Sequence, residues 1–377
     1  MVIGVPREVH LHEHRVGLTP FAVSRLVQQG HTVCVETLAG EAAHFNDRNY
    51  QQAGGQIVYT PEEAYGRADL VCRVGMLSSD ELGLLRPASI VCGFQHLAVA
   101  PRDVVARLIR LDTTLISYEL IRSGAGFRPV LVPFSEMGGR MAVQLAAHYL
   151  QVEAGGRGVL LGNVPGVPPP TVLILGAGGV GLSAARLALA MGAHVIVLDQ
   201  DLRKLAALTH DLGDHVVTAL AAEERLAQYT RIADVIIGAV LIPGERAPFL
   251  VTEAMVRSMK KGSVIIDVSI DQGGCVETSR PTTLDHPTFT AHGVVHYCVP
   301  NMTANIPRTA SRALTNAALP FLLELAAKGL DRALADNPGL AAGTALYRGK
   351  VTHRTLSLAL AVQATPIDQL IGGGGAR

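Results

Sequence analysis

Short apolar runs alternate with amphipathic stretches along most of the chain. Four early runs are rich in β-branched residues, which is typical of buried strands, namely Val2–Val5, His31–Glu36, Leu70–Val74 and Ser89–Gly93. Between such runs the apolar positions recur at helical spacing, as in Ala100–Asp112. Strands separated by helices predict parallel βαβ units rather than hairpins.

A second series of the same kind follows the Gly- and Pro-rich loop Gly155–Pro170. Its predicted strands are Thr171–Leu175, His194–Leu198, His215–Ala219, Asp234–Gly238 and Ser263–Asp267. Beyond about Asn305 the pattern becomes helical, and we expect the last residues, Gly372–Arg377, to fray. The pattern therefore predicts two successive α/β series followed by helices.

These two series predict an α/β protein with two doubly wound parallel-sheet domains. Ser135 could cap a helix that runs to about Val152, and two long helices that flank the second series suggest a discontinuous first domain. Residues 1–130 and 306–377 are expected to form one discontinuous substrate domain, into which residues 131–305 are inserted. That arrangement predicts a cleft between the domains, where ligands bind preferentially.

The composition excludes several classes of protein. Of 377 residues, 49% are apolar and 17% charged, which suits large cores and excludes a disordered chain. No membrane span or signal peptide is recognisable, so we expect a cytoplasmic protein that has no membrane partner. Basic and acidic residues balance at 32 each, which argues against nucleic acid as a partner. The five scattered cysteines form no CxxC pair and predict neither disulfides nor a zinc site.

A glycine-rich turn is the clearest chemical motif. Gly176, Gly178 and Gly181 form a GxGxxG pattern between the apolar strand Thr171–Leu175 and a predicted helix. Asp199 ends the next predicted strand, 18 residues beyond Gly181. In dinucleotide-binding domains the first glycine permits the tight turn, the second admits the pyrophosphate, and the third lets the helix pack on the sheet.

The same motif predicts the cofactor and the type of the inserted domain. A carboxylate at Asp199 would accept hydrogen bonds from the adenosine ribose and repel a 2′-phosphate, which favours NAD over NADP. Arg203 and Lys204 lie close enough to weaken that preference. Residues 131–305 are therefore predicted to be a Rossmann NAD-binding domain, the alternative being a Gly-rich turn in an ordinary α/β domain.

Local motifs extend this interpretation. They are IGVPREVHLHEHRVGLTP, FQHLA, SEMGGRMA, GVLLGNVPGV, GAVLIPGERAP, SIDQGG and NMTANIPRT. In this order they resemble the alanine dehydrogenase family and the related N-terminal domain of the proton-pumping nicotinamide transhydrogenase alpha subunit. The segments GVLLGNVPGV and SRPTTLDHPTF are more similar to the alanine dehydrogenase branch.

The resemblance implies a reversible oxidative deamination. L-Alanine is oxidised to an imine with NAD as hydride acceptor, water adds, and ammonia leaves to give pyruvate. The partners implied are an amino acid or 2-oxo acid substrate and further copies of the chain, in a homo-oligomer that is commonly a hexamer.

The resemblance also assigns site residues. Arg15 would clamp the substrate carboxylate, His96 would act as acid and base, and Asp271 would orient or activate the water. The residues implied to contact the cofactor, besides the three glycines, are Ser135, Asp199, Lys204, Ala239, Val240 and Asn301.

Each catalytic candidate has a structural alternative. Arg15 could be a surface ion-pair partner, His96 a satisfied histidine at a strand end, and Asp271 the cap of a turn. His10 and the alternating histidines after it suggest a metal at first sight. No fourth ligand is identifiable, so we predict that they are solvated and that the chain has no metal site.

One position departs from the family pattern. The family usually carries KVKEP where this chain reads Arg73-Val74-Gly75-Met76-Leu77, so Gly75 replaces a lysine that contacts the substrate. Because alternate residues of a strand share a face, Arg73 could lean into the space at Gly75 and bind the substrate. Two alternatives stay open, namely a dehydrogenase for another amino acid and an NAD-binding protein with little catalysis.

Overall fold

The computed structural model describes residues 1–97, 100–124, 126–240 and 247–371. Internal contacts divide the chain into two compact units. The first comprises Met1–Phe134 together with the chain from Ala304 onward, and the second comprises Ser135–Thr303. The segment Gly372–Arg377, expected to fray, lies outside the described residues. No helix within the described ranges is long and apolar enough to cross a membrane.

The strands of the described chain are short and mostly buried. In chain order they are β1 (Val2–Val5), β2 (Thr32–Glu36), β3 (Gln56–Val58), β4 (Leu70–Cys72), β5 (Ile90–Gly93), β6 (Thr114–Ser117), β7 (Thr171–Leu175), β8 (His194–Asp199), β9 (Val216–Leu220), β10 (Val235–Gly238), β11 (Val264–Asp267), β12 (Thr288–Ala291), β13 (Val294–Tyr297), β14 (Thr344–Tyr347) and β15 (Lys350–Val351).

Helices separate most of these strands. They are α1 (Pro20–Gln28), α2 (Asp47–Gln52), α3 (Pro61–Gly66), α4 (Arg102–Arg110), α5 (Val132–Tyr149), α6 (Gly179–Ala190), α7 (Leu202–Leu212), α8 (Glu223–Ile232), α9 (Glu253–Ser258), α10 (Pro307–Lys328), α11 (Leu330–Asp336), α12 (Pro338–Gly343), α13 (Arg354–Leu360) and α14 (Ile367–Ile371).

The first unit is built on a doubly wound sheet. Its strand order is β15-β14-β6-β5-β4-β1-β2-β3, and β1 to β6 are parallel. The chain moves outward from β1 to β3 and then returns to the other side of β1 with β4. This reversal creates a switch point at the carboxyl ends of β1 and β4, where ligands bind in open α/β sheets.

The second unit repeats that topology. Its order is β12-β13-β11-β10-β7-β8-β9, with only β12 antiparallel to its neighbour. Six parallel strands therefore follow the Rossmann order, with the switch point between β7 and β10. The predicted fold class, two doubly wound α/β sheets of which the second is Rossmann-like, is confirmed.

Two hairpins were missed by the sequence interpretation. Residues His292 and Gly293 connect β12 to β13, and Arg348 and Gly349 connect β14 to β15, all with positive φ. Two-residue turns with positive φ at both positions are favoured in hairpins, but His-Gly and Arg-Gly are weak signals beside Asn-Gly. The predicted cap at Ser135 is also wrong, because α5 begins at Val132 and Ser135 lies in its first turn.

Candidate active site

The glycine-rich turn joins β7 to α6. Gly176 has φ +107°, and a Cβ there would lie 2.5 Å from the carbonyl oxygen of Ala239. A Cβ on Gly181 would lie 1.8 Å from the carbonyl oxygen of Gly176. By contrast, a Cβ on Gly178, the N-cap of α6, would meet no atom of the described residues within 4 Å.

These three glycines fit the requirements of a dinucleotide. Gly176 and Gly181 are needed because the backbone around them is closely packed. Gly178 leaves open space at the N-terminus of a 12-residue helix, where unpaired N–H groups and the helix dipole favour a phosphate. The turn therefore has the shape and polarity that a pyrophosphate needs.

Asp199 lies at the carboxyl end of β8, beside this turn. Its Oδ2 accepts a hydrogen bond from the Ala177 N–H at 2.7 Å, and its Oδ1 accepts one from the Asp201 N–H at 2.8 Å. The Lys204 Nζ is 4.0 Å from Oδ2. Arg203 instead pairs with Asp201 and is highly exposed. Of the two basic residues thought to weaken the NAD preference, only Lys204 approaches this carboxylate.

Other predicted cofactor residues surround the same switch point. A Cβ on Gly179 would lie 3.1 Å from Ser135 Cβ, so Ser135 borders the glycine-rich turn. Ala239 and Val240 follow β10, and the Val240 N–H donates to Ser269 Oγ at 2.9 Å. The motif that includes these two residues continues into 241–246, which lie outside the described residues.

Asp271 follows β11 in a short 3₁₀ turn, Val268–Gln272. Its Oδ1 accepts a hydrogen bond from the Asn301 N–H at 2.8 Å, and Asn301 has φ +52°. The structure thus brings together a predicted catalytic residue and a predicted cofactor residue that are 30 positions apart.

Asp267, at the end of β11, supports this turn and was not predicted. It is 2% exposed and accepts hydrogen bonds from the Ser269 and Cys275 N–H groups. Burial raises the pKa of Asp267. The signal that could have identified Asp267 is a carboxylate at the carboxyl end of an apolar strand, the same signal that identified Asp199.

In the first unit, Arg15 is buried rather than on the surface. It is 4% exposed, its Nε donates to Glu13 Oε1 at 2.7 Å, and its Nη2 donates to Glu13 Oε2. Its guanidinium also lies 5.7 Å from the ring centroid of Phe134. The structural alternative, a surface ion pair, is therefore wrong as to exposure. The ion pair itself is present, with Glu13, a partner that the sequence did not indicate.

His96 follows β5 and is half exposed, at 48% of its side chain. It has φ +41°, an uncommon conformation for a non-glycine residue that is often found at functional sites. The His96 N–H donates to Glu119 Oε1 at 2.8 Å, and Nδ1 is 3.9 Å from the same oxygen. Glu119 follows β6, the neighbour of β5, and was not predicted.

Arg73 does not lie where the sequence predicted. Arg73 is fully buried, its Nη1 donates to Glu81 Oε1 at 2.7 Å, and its Nη2 donates to Glu8 Oε2 at 2.8 Å. Nη1 also donates to the Tyr65 hydroxyl at 2.8 Å. Because these bonds hold both Nη groups, Arg73 does not lean into the space at Gly75, contrary to the sequence-based expectation.

Opposing effects act on the pKa values of this cluster. Burial by itself would raise the pKa of Glu81, but Arg73 and hydrogen bonds from Tyr65 and Ser78 lower it overall. Burial would also lower the pKa of Arg73, yet the neighbouring Glu8, Tyr65 and Glu81 raise it. Arg73 therefore pairs with two buried carboxylates and favours the ionised form of Glu81.

The histidine-rich loop was predicted to be solvated. His10 is exposed, but its Nε2 lies 2.8 Å from the Met76 carbonyl oxygen. Gln95 Nε2 donates to the Gly75 carbonyl oxygen at 2.9 Å, so Gly75 and Met76 connect this loop to the His96 segment. Among the residues that the structure covers, no group of three or more His, Cys, Asp or Glu could hold a metal.

Comparisons with known proteins cover nearly the whole chain. The family model for the alanine dehydrogenase/PNT N-terminal domain matches residues 4–138, and that for the C-terminal domain matches residues 142–354. The chain is 43% identical to alanine dehydrogenase of Halomonas elongata, covering 99% of this chain and 100% of that protein. It is 42% identical to alanine dehydrogenase of Mycobacterium tuberculosis, covering 97% and 98%.

Solved structures give a consistent result. An L-alanine dehydrogenase structure superposes with a TM-score of 0.90 at 42% identity and covers 96% of this chain and 99% of its own. A transhydrogenase from Sinorhizobium meliloti has a TM-score of 0.79 at 24% identity, covering 94% and 99%, which shows a shared fold alone. By sequence over both of its units and by structure, this chain belongs to the alanine dehydrogenase/PNT family.

Proposed function

We propose that this protein is an NAD-dependent alanine dehydrogenase that interconverts L-alanine with pyruvate and ammonia. The observation that carries the proposal is its similarity, over almost its full length, to proteins named alanine dehydrogenase. The first unit serves as the substrate domain and the second as the NAD-binding domain, and the active protein is a cytoplasmic homo-oligomer, a hexamer.

The second unit holds the cofactor. The open space at Gly178 accepts the pyrophosphate, Asp199 accepts hydrogen bonds from the ribose, and Lys204 stays near that carboxylate. The remaining cofactor contacts come from Ser135, Gly176, Gly181, Ala239, Val240 and Asn301. When bound, NAD supplies a hydride acceptor for the amino acid Cα. Asp199 makes NAD the preferred form because its charge repels a 2′-phosphate.

The catalytic side chains act on the substrate and on water. Arg15 binds the carboxylate, and Glu13 fixes the plane of its guanidinium. His96 exchanges a proton with the substrate, and Glu119 holds its backbone. Asp271, fixed by the Asn301 N–H, orients the water that adds to the oxidised carbon.

A second candidate function is the dehydrogenation of another amino acid. Gly75 favours it, because a missing side chain leaves room for a larger substrate. Since Arg73 is occupied by Glu8 and Glu81, the room beside Gly75 offers no free guanidinium to an extra anionic group. The third interpretation, an NAD-binding protein with little catalysis, predicts NADH binding without turnover.

The first experiment measures NADH formation by the purified protein with NAD and L-alanine at alkaline pH, beside a panel of other L-amino acids. We expect alanine to be preferred and His96→Ala to lower kcat by about 100-fold or more, because general acid–base catalysis has that size. His210→Ala is the control, because its exposed ring lies on α7 of the other unit. Preferred turnover of another amino acid would reject the alanine assignment, and absence of turnover would reject a dehydrogenase.

A further inference from the structure

The space beside Gly75 is open on the side where a side chain would begin. A Cβ built on Gly75 would lie 3.8 Å from Glu8 Oε2 and 4.0 Å from His10 Cδ2, which are ordinary van der Waals distances. A Cβ therefore fits at this position without displacing the backbone. Among the described residues, the side chains within 4 Å of that Cβ are those of Glu8 and His10.

The charges near this space are not balanced. Glu8 and Glu81 share one guanidinium, that of Arg73, so the cluster carries one more negative than positive charge. Tyr65 adds none, because burial raises the pKa of its hydroxyl. Beside such a cluster a positively charged group is stabilised.

His10 is placed to supply that charge. Its Nε2 lies 2.8 Å from a carbonyl oxygen, that of Met76, and a carbonyl can only accept, so Nε2 carries the hydrogen. The other ring nitrogen, Nδ1, has no hydrogen-bond partner in the part of the chain that is described. Nδ1 is therefore the ring nitrogen that is left for a ligand.

We propose that His10 is a catalytic residue that replaces, through Nδ1, the positively charged side chain missing at position 75. Protonated Nδ1 donates a hydrogen bond to an oxygen of the substrate, the carbonyl of a 2-oxo acid or the carboxylate of the amino acid. The assignment rests on the proposed function. In this assignment the imidazole of His10 acts in the first unit, at the switch point between β1 and β4.

The test uses four variants of the full-length protein. His10→Gln keeps an amide N–H for the Met76 carbonyl but lacks Nδ1, so it separates a structural from a catalytic role. Gly75→Lys introduces an ammonium group in the open space, alone and combined with His10→Gln. His14→Gln is the control in the same loop. The measurements are kcat and KM for alanine, NADH affinity and melting temperature.

We expect His10→Gln to lower kcat/KM for alanine by about 100-fold, as for the loss of one charged donor, with NADH affinity and melting temperature unchanged. Gly75→Lys should restore the double variant to within about fivefold of the wild type, because the introduced ammonium group substitutes for the lost imidazole. Wild-type turnover in His10→Gln, or a double variant as slow as His10→Gln, would overturn the proposal.

The outcomes also separate this inference from the proposed function. A wild type that oxidises another amino acid and depends on His10 would support the role of His10 and reject alanine as substrate. A wild type inactive with alanine, together with an active Gly75→Lys variant, would overturn the role of His10 and leave the family's reaction in place.

Discussion

At the scale of single residues, one amino-acid type serves two physical purposes in the glycine-rich turn. Gly181 is required by packing, since its Cβ would overlap the carbonyl oxygen of Gly176. A Cβ on Gly178 would meet no atom of the described residues within 4 Å, and its φ of −79° is one that any residue adopts. The motif assigned helix packing to Gly181 and the approach of a pyrophosphate to Gly178, and the space around the two glycines in the structure differs in the way that this assignment requires.

Alanine substitutions distinguish these purposes. Gly181→Ala should lower the melting temperature by several degrees, since overpacking costs about 1–3 kcal/mol. Gly178→Ala should leave the melting temperature within about 1 °C of the wild type, because the affected site has room. The same variant should weaken NADH binding by about tenfold or more, because a methyl group occupies the space proposed for the pyrophosphate.

The measurements are thermal unfolding without cofactor and NADH binding by fluorescence titration. Unchanged NADH affinity in a folded Gly178→Ala protein would contradict the assignment of the pyrophosphate site.

At the scale of elements, Arg73 ties together segments that meet only in the folded chain. Glu8 follows β1, Tyr65 lies in α3, Arg73 follows β4, and Glu81 lies in the next 3₁₀ turn. Removing the guanidinium would leave two buried carboxylates without a countercharge. The cluster therefore fixes the carboxyl ends of β1 and β4, where the substrate residues are proposed.

Arg73→Met should reduce the free energy of unfolding by about 3–5 kcal/mol, the usual cost of removing one partner of a buried ion pair. The matched control is Arg86→Met, which breaks the exposed pair with Asp69 at 3.3 Å and should cost less than about 1 kcal/mol. Chemical denaturation of both variants provides the comparison. Equal losses would show that Arg73 contributes no more than a surface arginine.

At the scale of the whole molecule, this cluster makes stability depend on pH. The pKa of Glu81 is lowered from 4.5, so its ionised form is stabilised more in the folded than in the unfolded protein. That contribution is complete above the unfolded pKa of 4.5 and is lost as the pH falls through the lower folded pKa.

The stability difference between the wild type and Glu81→Gln should therefore shrink as the pH falls from about 6 to about 3. Denaturation curves of both proteins at several pH values in that range test this prediction. The titration of most other carboxylates affects both proteins equally and therefore cancels in the difference between their free energies of unfolding. A difference that stays constant or grows toward acid pH would contradict the lowered pKa.

Much of the fold was predictable because its signals are local. Parallel strands that are buried on both faces appear as apolar runs, and the predicted ends of most strands lie within one or two residues of the observed ends. The hairpins β12–β13 and β14–β15 were missed because their turns carry His-Gly and Arg-Gly. The strand β14 also pairs with β6 from more than 200 positions away, which no local pattern records.

The fold class, the glycine-rich turn with Asp199, and the family motifs around Arg15, His96 and Asp271 were all predictable from the sequence, because each depends on residues that are close in the chain. The tertiary structure decided which charges pair. It placed Arg73 between Glu8 and Glu81, and it placed His10 beside the space at Gly75. Long side chains reach partners on other strands, and only the sheet order fixes which partners lie within reach.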